Sequence, residues 1–277
     1  MTHIIRLTLK EIINKRIFHM GLILTAVYLL LYGTGLHYMV KDRVMTGDQF
    51  WYAQEVGYQF LTMGWYFSTF LSGALAILSG SGSISREIES GTILTLASRP
   101  ISRKAIVTGK FLTYSAVTAV YSGILVAAIT LLVIHYFKLL VDPMSLLSGI
   151  GLFMLMPVVL LAVAHLVSAI WSTLAAGVTA FMLYATATIG GFIEQMGALM
   201  NNPDIINVGI ISSLIMPSDA LYRLAVSIAG GKLGQGAIAF SPFGATSTPS
   251  TAMLIYALLY VVLILILAIH LFQKRDL

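Results

Sequence analysis

Long apolar runs alternate with short polar stretches along this chain, and six of the runs are long enough to cross a hydrocarbon core as helices. They cover 17–40, 60–83, 105–137, 146–170, 174–193 and 252–272, against a requirement of about 20 apolar residues per crossing. The third run is longer than it needs to be, so its first turn, with Lys110, is expected to project into water. Two further stretches do not qualify. Residues 205–216 are too few to cross. Residues 221–240 have the length but contain Arg223, Lys232 and four glycines, and a cation at the centre of a span costs about 2.5–3.5 kcal/mol on insertion. The region 201–250 therefore reads as one non-spanning, partly helical insertion on a single side of the membrane. Asn201-Asn202-Pro203 and Ser241-Pro242-Phe243-Gly244 supply turn signals at its ends.

The pattern predicts an all-α polytopic membrane protein, a single transmembrane domain over 1–277. Composition agrees. Of 277 residues 58% are hydrophobic and only 10% charged, with a mean hydropathy of +0.92, whereas a soluble domain is about a quarter charged. The first long apolar run begins near Ile17 and lasts too long for a signal h-region, so no cleavable signal peptide is expected, although Gly33-Thr34-Gly35 mimics a cleavage site.

Charge then orients the chain. Sixteen Lys and Arg face eleven Asp and Glu, a net charge of +5. Six crossings put both termini on one side. That side collects Arg6, Lys10, Lys15 and Arg16, then Arg86, Arg99, Arg103, Lys104 and Lys110 between the second and third runs, then Lys274 and Arg275. Cytoplasmic loops carry such an excess. Both termini and the 84–104 loop are thus expected in the cytoplasm of a plasma-membrane protein. The basic balance follows from topology, and nucleic acid is not needed to explain it.

Two flanking features belong to the same picture. In 1–16, Ile5, Leu9, Ile12 and Ile13 share one side of a helical wheel, opposite Arg6, Lys10 and Asn14, which predicts an amphipathic helix in the membrane interface. A basic tail would have similar composition. Around the start of the second run, Phe50, Trp51, Tyr52, Tyr58, Trp65, Tyr66 and Phe67 cluster. Aromatic rings concentrate where hydrocarbon meets headgroups, so interface anchoring is expected there rather than a ligand cage.

No catalytic constellation emerges. Glu87 and Glu89 are two apart and point to different sides of a helix. The six histidines are scattered singly without a HExxH-like spacing, and no GxxxxGK[ST] phosphate loop is present. With no cysteine, thiolate chemistry and Cys-ligated metals are excluded. The spans read as lacking a buried charge cluster, which disfavours a densely coordinated inorganic ion as cargo and suits hydrophobic peptides, lipids or drugs. His165, the kink-prone Pro157 and Glu194, an acid adjoining the apolar core, are candidate pathway residues. Intramembrane ionisable groups are functional candidates by default, though a packing histidine, a static kink and an interface acid are the plainer readings.

The most distinctive stretch lies between the second and third runs. Arg86 to Leu96 reads as a short amphipathic helix re-capped at Gly91-Thr92, stopped by Pro100, which disfavours helix at the residue before it. Ser102 is then the N-cap of the next helix. A rigid element here transmits motion, while a polar connector of the same composition does not. Glu87-x-Glu89-x-Gly91-Thr92, followed by Leu94, Leu96, Ser98, Pro100, Ser102-Arg103 and Gly109-Lys110, resembles the signature of ABC-2 type transporter permeases. The chain is similar especially to their six-span branch, which includes the permease of the nitrous-oxide-reductase maturation system. Pro217-Ser218-Asp219-Ala220-Leu221 and the basic end Lys274-Arg275-Asp276 add to the likeness.

That resemblance implies a permease subunit of an ATP-driven exporter, with the loop as a coupling helix docked on a cytosolic ATPase. Glu87, Glu89, Gly91, Thr92, Pro100, Ser102 and Arg103 become the coupling positions. It implies that the carboxylates pair with basic groups or cap, that Gly91 allows close approach and that Pro100 fixes the turn. The sequence departs from the commoner pattern at Ser90 and Arg99. A second permease copy, or a related partner, would complete the pathway in the bilayer. The subunit itself would hold no cofactor, ATP and Mg being bound by the partner. A non-transporting assembly, immunity or mechanotransmission factor of the same fold remains the alternative.

Overall fold

The computed structural model describes residues 2–41, 48–91, 102–239, 241 and 243–274. Those residues form eleven helices and no strand. Helix α1 (Thr2–Asn14) leads into α2 (Arg16–Val40). Then come α3 (Asp48–Ser81), the short α4 (Ser85–Glu89), α5 (Arg103–Phe137), α6 (Pro143–Phe153), α7 (Leu155–Ser168), α8 (Thr173–Leu199), α9 (Pro203–Ile215), α10 (Ser218–Ala239) and α11 (Ala252–Lys274). Six helical segments are long and apolar enough to cross a membrane, with α6 and α7 forming one of them. In lipid every backbone N–H and C=O must be satisfied within the segment, and an unbroken helix does this.

Helix boundaries follow local chemistry. Ser102 caps α5 by accepting from Ala105 N at 3.3 Å, as its position before the apolar run predicts. Asp142 accepts from Ser145 N at 3.0 Å, with Pro143 in the first turn of α6. Asn201 adopts φ 51°, Asn202 accepts from Asp204 N at 3.0 Å, and Pro203 opens α9. That order, a left-handed residue, then a cap, then a proline at a first position, is a chain reversal. The fourth crossing is interrupted at Met154. Pro157 brings no N–H and its ring crowds the carbonyl four residues earlier, at Phe153, so the break sits where proline puts it.

Helices α3, α5 and α7 are central, and α2 and α11 lie at the periphery with most of their apolar side chains exposed. One end of the bundle gathers α1, α4, the α7–α8 turn and the end of α11; it is called the terminus end below. The far end holds the α2–α3, α5–α6 and α8–α9 connections. Helix α1 buries Ile4, Thr8 and Ile12. The expected apolar side is therefore rotated, since Ile5, Leu9 and Ile13 are exposed and only Ile12 of that set is covered.

Region 201–250 is more helical than its glycines suggest. Helix α9 doubles back along α8, and α10 departs from it at 107°. Thirteen residues carry α9 about 20 Å along its neighbour. Tyr260 donates to Ile215 O at 3.0 Å, and Tyr256 donates to Leu214 O, so α11 satisfies the last carbonyls of α9. Helix α10, broken at Gly231, returns to the far end, where Gly234 lies against Tyr58 and Gly231 against Ser145. The pair enters and leaves at the same end. It is a re-entrant hairpin, and the count of crossings stays at six.

The aromatic cluster divides. Tyr58 and Trp65 are buried within the bundle, with Trp65 Nε1 donating to Thr130 Oγ1 at 3.0 Å. Tyr66 packs on Tyr222 and Phe243. Only Tyr52 and Phe67 keep an exposed face of the kind interface anchoring expects, and the side chains of Phe50 and Trp51 lie outside the described residues.

Candidate functional site

Two buried polar clusters occupy opposite ends of the bundle. The first surrounds α4, an elbow between the second and third crossings. Ile84 and Ile88 of the elbow pack against Val107, Ala169, Ala268 and Phe272, so this short segment is anchored by apolar contact with α5, the α7–α8 turn and α11. Glu87 forms an ion pair with Lys110. Lys110 is buried and also donates to Ser83 O at 2.7 Å. Its expected projection into water is overturned: the elbow folds over it and supplies a carboxylate and a carbonyl. Ser83 Oγ meets His165 Nδ1 at 2.7 Å, which ties α7 to the same cluster.

Glu89 reaches α8. Its Oε1 accepts from Thr173 N at 2.8 Å and its Oε2 from Thr173 Oγ1 at 3.0 Å. A carboxylate on the first free amides of a helix satisfies orphan donors and meets the positive end of the helix dipole. Ser85 Oγ lies 2.7 Å from Thr173 Oγ1 as well. Gly91 ends the elbow at φ 70°, with open space around its Cα. Within the described residues the glycine serves the left-handed conformation that ends the elbow. Arg103 donates to Gln273 O at 3.3 Å, binding the start of α5 to the end of α11. Thr92 and Pro100 lie outside the described residues.

Helix α1 joins this end through Lys15. The ammonium lies 2.7 Å from Glu11 and donates to Tyr114 Oη at 2.5 Å. Burial pushes the Glu11 carboxyl up, but the hydrogen bond and charge of Lys15 outweigh it and hold the group below its ordinary value.

The second cluster was not legible in the sequence. Arg223, fully buried, makes a bidentate pair with Glu194, 2.7 Å on each arm. Its Nε donates to Asp219 Oδ2 at 2.9 Å, and one terminal nitrogen donates to Ser247 O at 3.0 Å. Ser247 Oγ donates to Glu194 Oε1 at 2.7 Å. Two carboxylates thus share one guanidinium whose planar fork fits both. The expectation that no buried charge cluster exists is overturned by this triad. Glu194 does not face water as an interface acid; it is buried.

Close helix approach creates the site. A Cβ at Gly209 of α9 would collide with Glu194, and one at Gly191 of α8 with the Asp219 carboxylate. These glycines let α9 and α10 lie against α8 closely enough for Arg223 to reach it. The available signal was the spacing of Asp219 and Arg223, four residues apart and so on one face of a helix. It was masked by the reading of 201–250 as a non-spanning, partly helical insertion interrupted by Arg223, Lys232 and four glycines.

The three candidate pathway residues are not brought together. Glu194 sits in the far-end triad, His165 under the elbow, and Pro157 at the kink between them along the chain's central helices. All three are buried against other parts of this chain.

A sequence model of the family described as ABC-2 family transporter protein matches residues 3–277. No curated protein matches the sequence.

Proposed function

The chain belongs to the ABC-2 transporter family, and we propose that it is the permease subunit of an ATP-driven exporter, paired with a second permease copy and driven by a separate cytosolic ATPase. The observation that carries the reading is the elbow α4. It lies at the terminus end, where the cations concentrate, with Glu89 and Ser90 exposed. It is not an independent loop, because Glu87, Glu89, Ile84 and Ile88 fasten it to α5, α7, α8 and α11. A partner pressing on this element moves several crossings together, as rigid-body alternation between two arrangements requires.

In this reading both termini and the elbow are cytoplasmic in the plasma membrane. ATP and Mg are held by the partner, which supplies the chemistry of hydrolysis. The chain's own part is mechanical. Inward contacts of Glu87 and Glu89 keep the elbow stiff, while Arg86 and Ser90, both exposed, are accessible to the partner. The outward surfaces of α2, α8 and α11 are lined with exposed Leu, Ile, Val and Phe, as contact with lipid requires.

Charge reversal at Glu87 or Glu89 acts on the chain's own fold before it reaches a partner. Arg86→Glu is the cleaner test. The variant is expected to insert and fold normally while the ATPase fails to co-purify and its stimulation is lost. Full co-purification and stimulation with Arg86→Glu would overturn the docking assignment. A non-transporting factor is separated by reconstitution, since it predicts ATPase coupling without cargo movement.

A further inference from the structure

Helix α8 is held by charged contacts at both ends of the bundle. At the terminus end its first residue, Thr173, is capped by Glu89 of the elbow. At the far end Glu194, on the same helix, is clamped by Arg223 of the re-entrant hairpin. Twenty-one residues of unbroken helix separate the two, about 31 Å at the helical rise. No other described helix joins the elbow's side chains to the hairpin's by such contacts at its two ends.

The hairpin is also fitted to α8 along its length. Ser212 Oγ of α9 donates to Thr186 O at 3.0 Å, and Gly197, Gly191 and Gly190 lie against Ile206, Asp219 and Ser212. Asn202 N donates to Gly197 O at 2.9 Å at the reversal. Helix α9 therefore has little freedom to slide on α8. Helix α10 is different: it packs mainly on α6 and α3, and its hold on α8 is the Arg223 fork together with Asp219 against Gly191. Without that fork, α10 follows α6 and α3 instead of α8.

We propose that Glu89 and Arg223 are positioning residues that make α8 the rod by which the elbow sets the placement of the re-entrant hairpin. Glu89 fixes the rod to the elbow, and Arg223 fixes the hairpin to the rod. Buried ion pairs add little net stability once desolvation is counted, and their best-attested use is to fix one arrangement among several. Two carboxylates converging on one buried guanidinium suit that use. The inference deepens the proposed function, resting on the elbow as the point where force enters, but its geometry exists in the permease alone.

The chain has no cysteine, so spin labels go in without background. Labels at Gln235→Cys on α10 and Tyr38→Cys on α2, both exposed far-end positions, report the placement of α10 by pulsed electron spin resonance on the permease in nanodiscs. Glu89→Gln, which weakens the cap some 31 Å from the triad, is expected to shift or broaden the 38–235 distance by about 1–2 Å, the scale of helix shifts at packed interfaces. In the background Glu194→Gln/Asp219→Asn/Arg223→Met, which removes the triad's charges together, that response to Glu89→Gln should vanish. In the Arg223→Lys background, which keeps the cation, it should persist in part. A 38–235 distance unmoved by Glu89→Gln, or a response that survives the neutral triple intact, overturns the proposal. Since no ATPase is present, these results stand apart from the docking test with Arg86→Glu.

Discussion

The two charge clusters solve different problems with similar residues. At the terminus end the charges are spread: Lys110 takes Glu87, Thr173 takes Glu89, Lys15 takes Glu11, and each contact joins a different pair of elements. Glu89 is exposed and Glu87 half-buried, so water screens part of every interaction. At the far end one buried guanidinium serves two buried carboxylates and a backbone carbonyl. Losing a single member there strands the others. The spread cluster tolerates loss of a member, because the remaining contacts still anchor the elbow. The concentrated cluster is all-or-none, as a clamp must be. Position along the chain reinforces the contrast, because the elbow lies between helices that follow one another in sequence, while the triad is made by a hairpin that leaves the bundle end and returns.

The difference is sharpest for Arg223. Arg223→Met alone leaves Glu194 and Asp219 buried without their cation, and breaking a buried pair in this way costs about 3–5 kcal/mol. Thermal unfolding followed by size-exclusion chromatography is expected to show severe loss. The neutral triple Glu194→Gln/Asp219→Asn/Arg223→Met should recover most of it, since no uncompensated charge remains. Equal damage from the single and triple variants would mean that shape, not charge balance, makes the far-end site.

Lys110→Met comes next. It removes the cation from the half-buried Glu87 and the donor from Ser83 O. The loss should be about 1–3 kcal/mol, the usual cost of stranding a buried polar group, and limited proteolysis should appear within 85–91 before the rest of the fold yields. Glu89→Gln should cost least of the three, about 0.5 kcal/mol, because the Thr173 amide keeps an uncharged acceptor. If Glu89→Gln destabilised the protein as much as Arg223→Met, the division into a distributed and an all-or-none cluster would fail.

Legibility in the sequence followed the same line. All six crossings were visible as apolar runs, and Ser102 as a cap, because both are written in consecutive residues. The elbow was marked by its motif, although the direction of its side chains was not. Lys110 reads as a residue bound for water until the elbow is folded over it, and that fold depends on Ile84 and Ile88 finding Phe272, far away in the chain. The triad was hidden for a related reason. Insertion scales charge Arg223 for crossing lipid alone, whereas it enters on a re-entrant helix already paired with Asp219 one turn away and meets Glu194 across a glycine contact. Local rules assign the cost of a buried cation correctly but do not show the partners that offset it.

In the proposed arrangement the elbow faces the cytosol and bears on a nucleotide-hydrolysing partner. In this cysteine-free chain, Ser90→Cys can be labelled with a membrane-impermeant maleimide in vesicles of known orientation, with and without the ATPase bound. Labelling is expected only from the cytosolic side, with protection once the ATPase is bound. Labelling from the outside, or equal labelling with and without the ATPase, would contradict that arrangement.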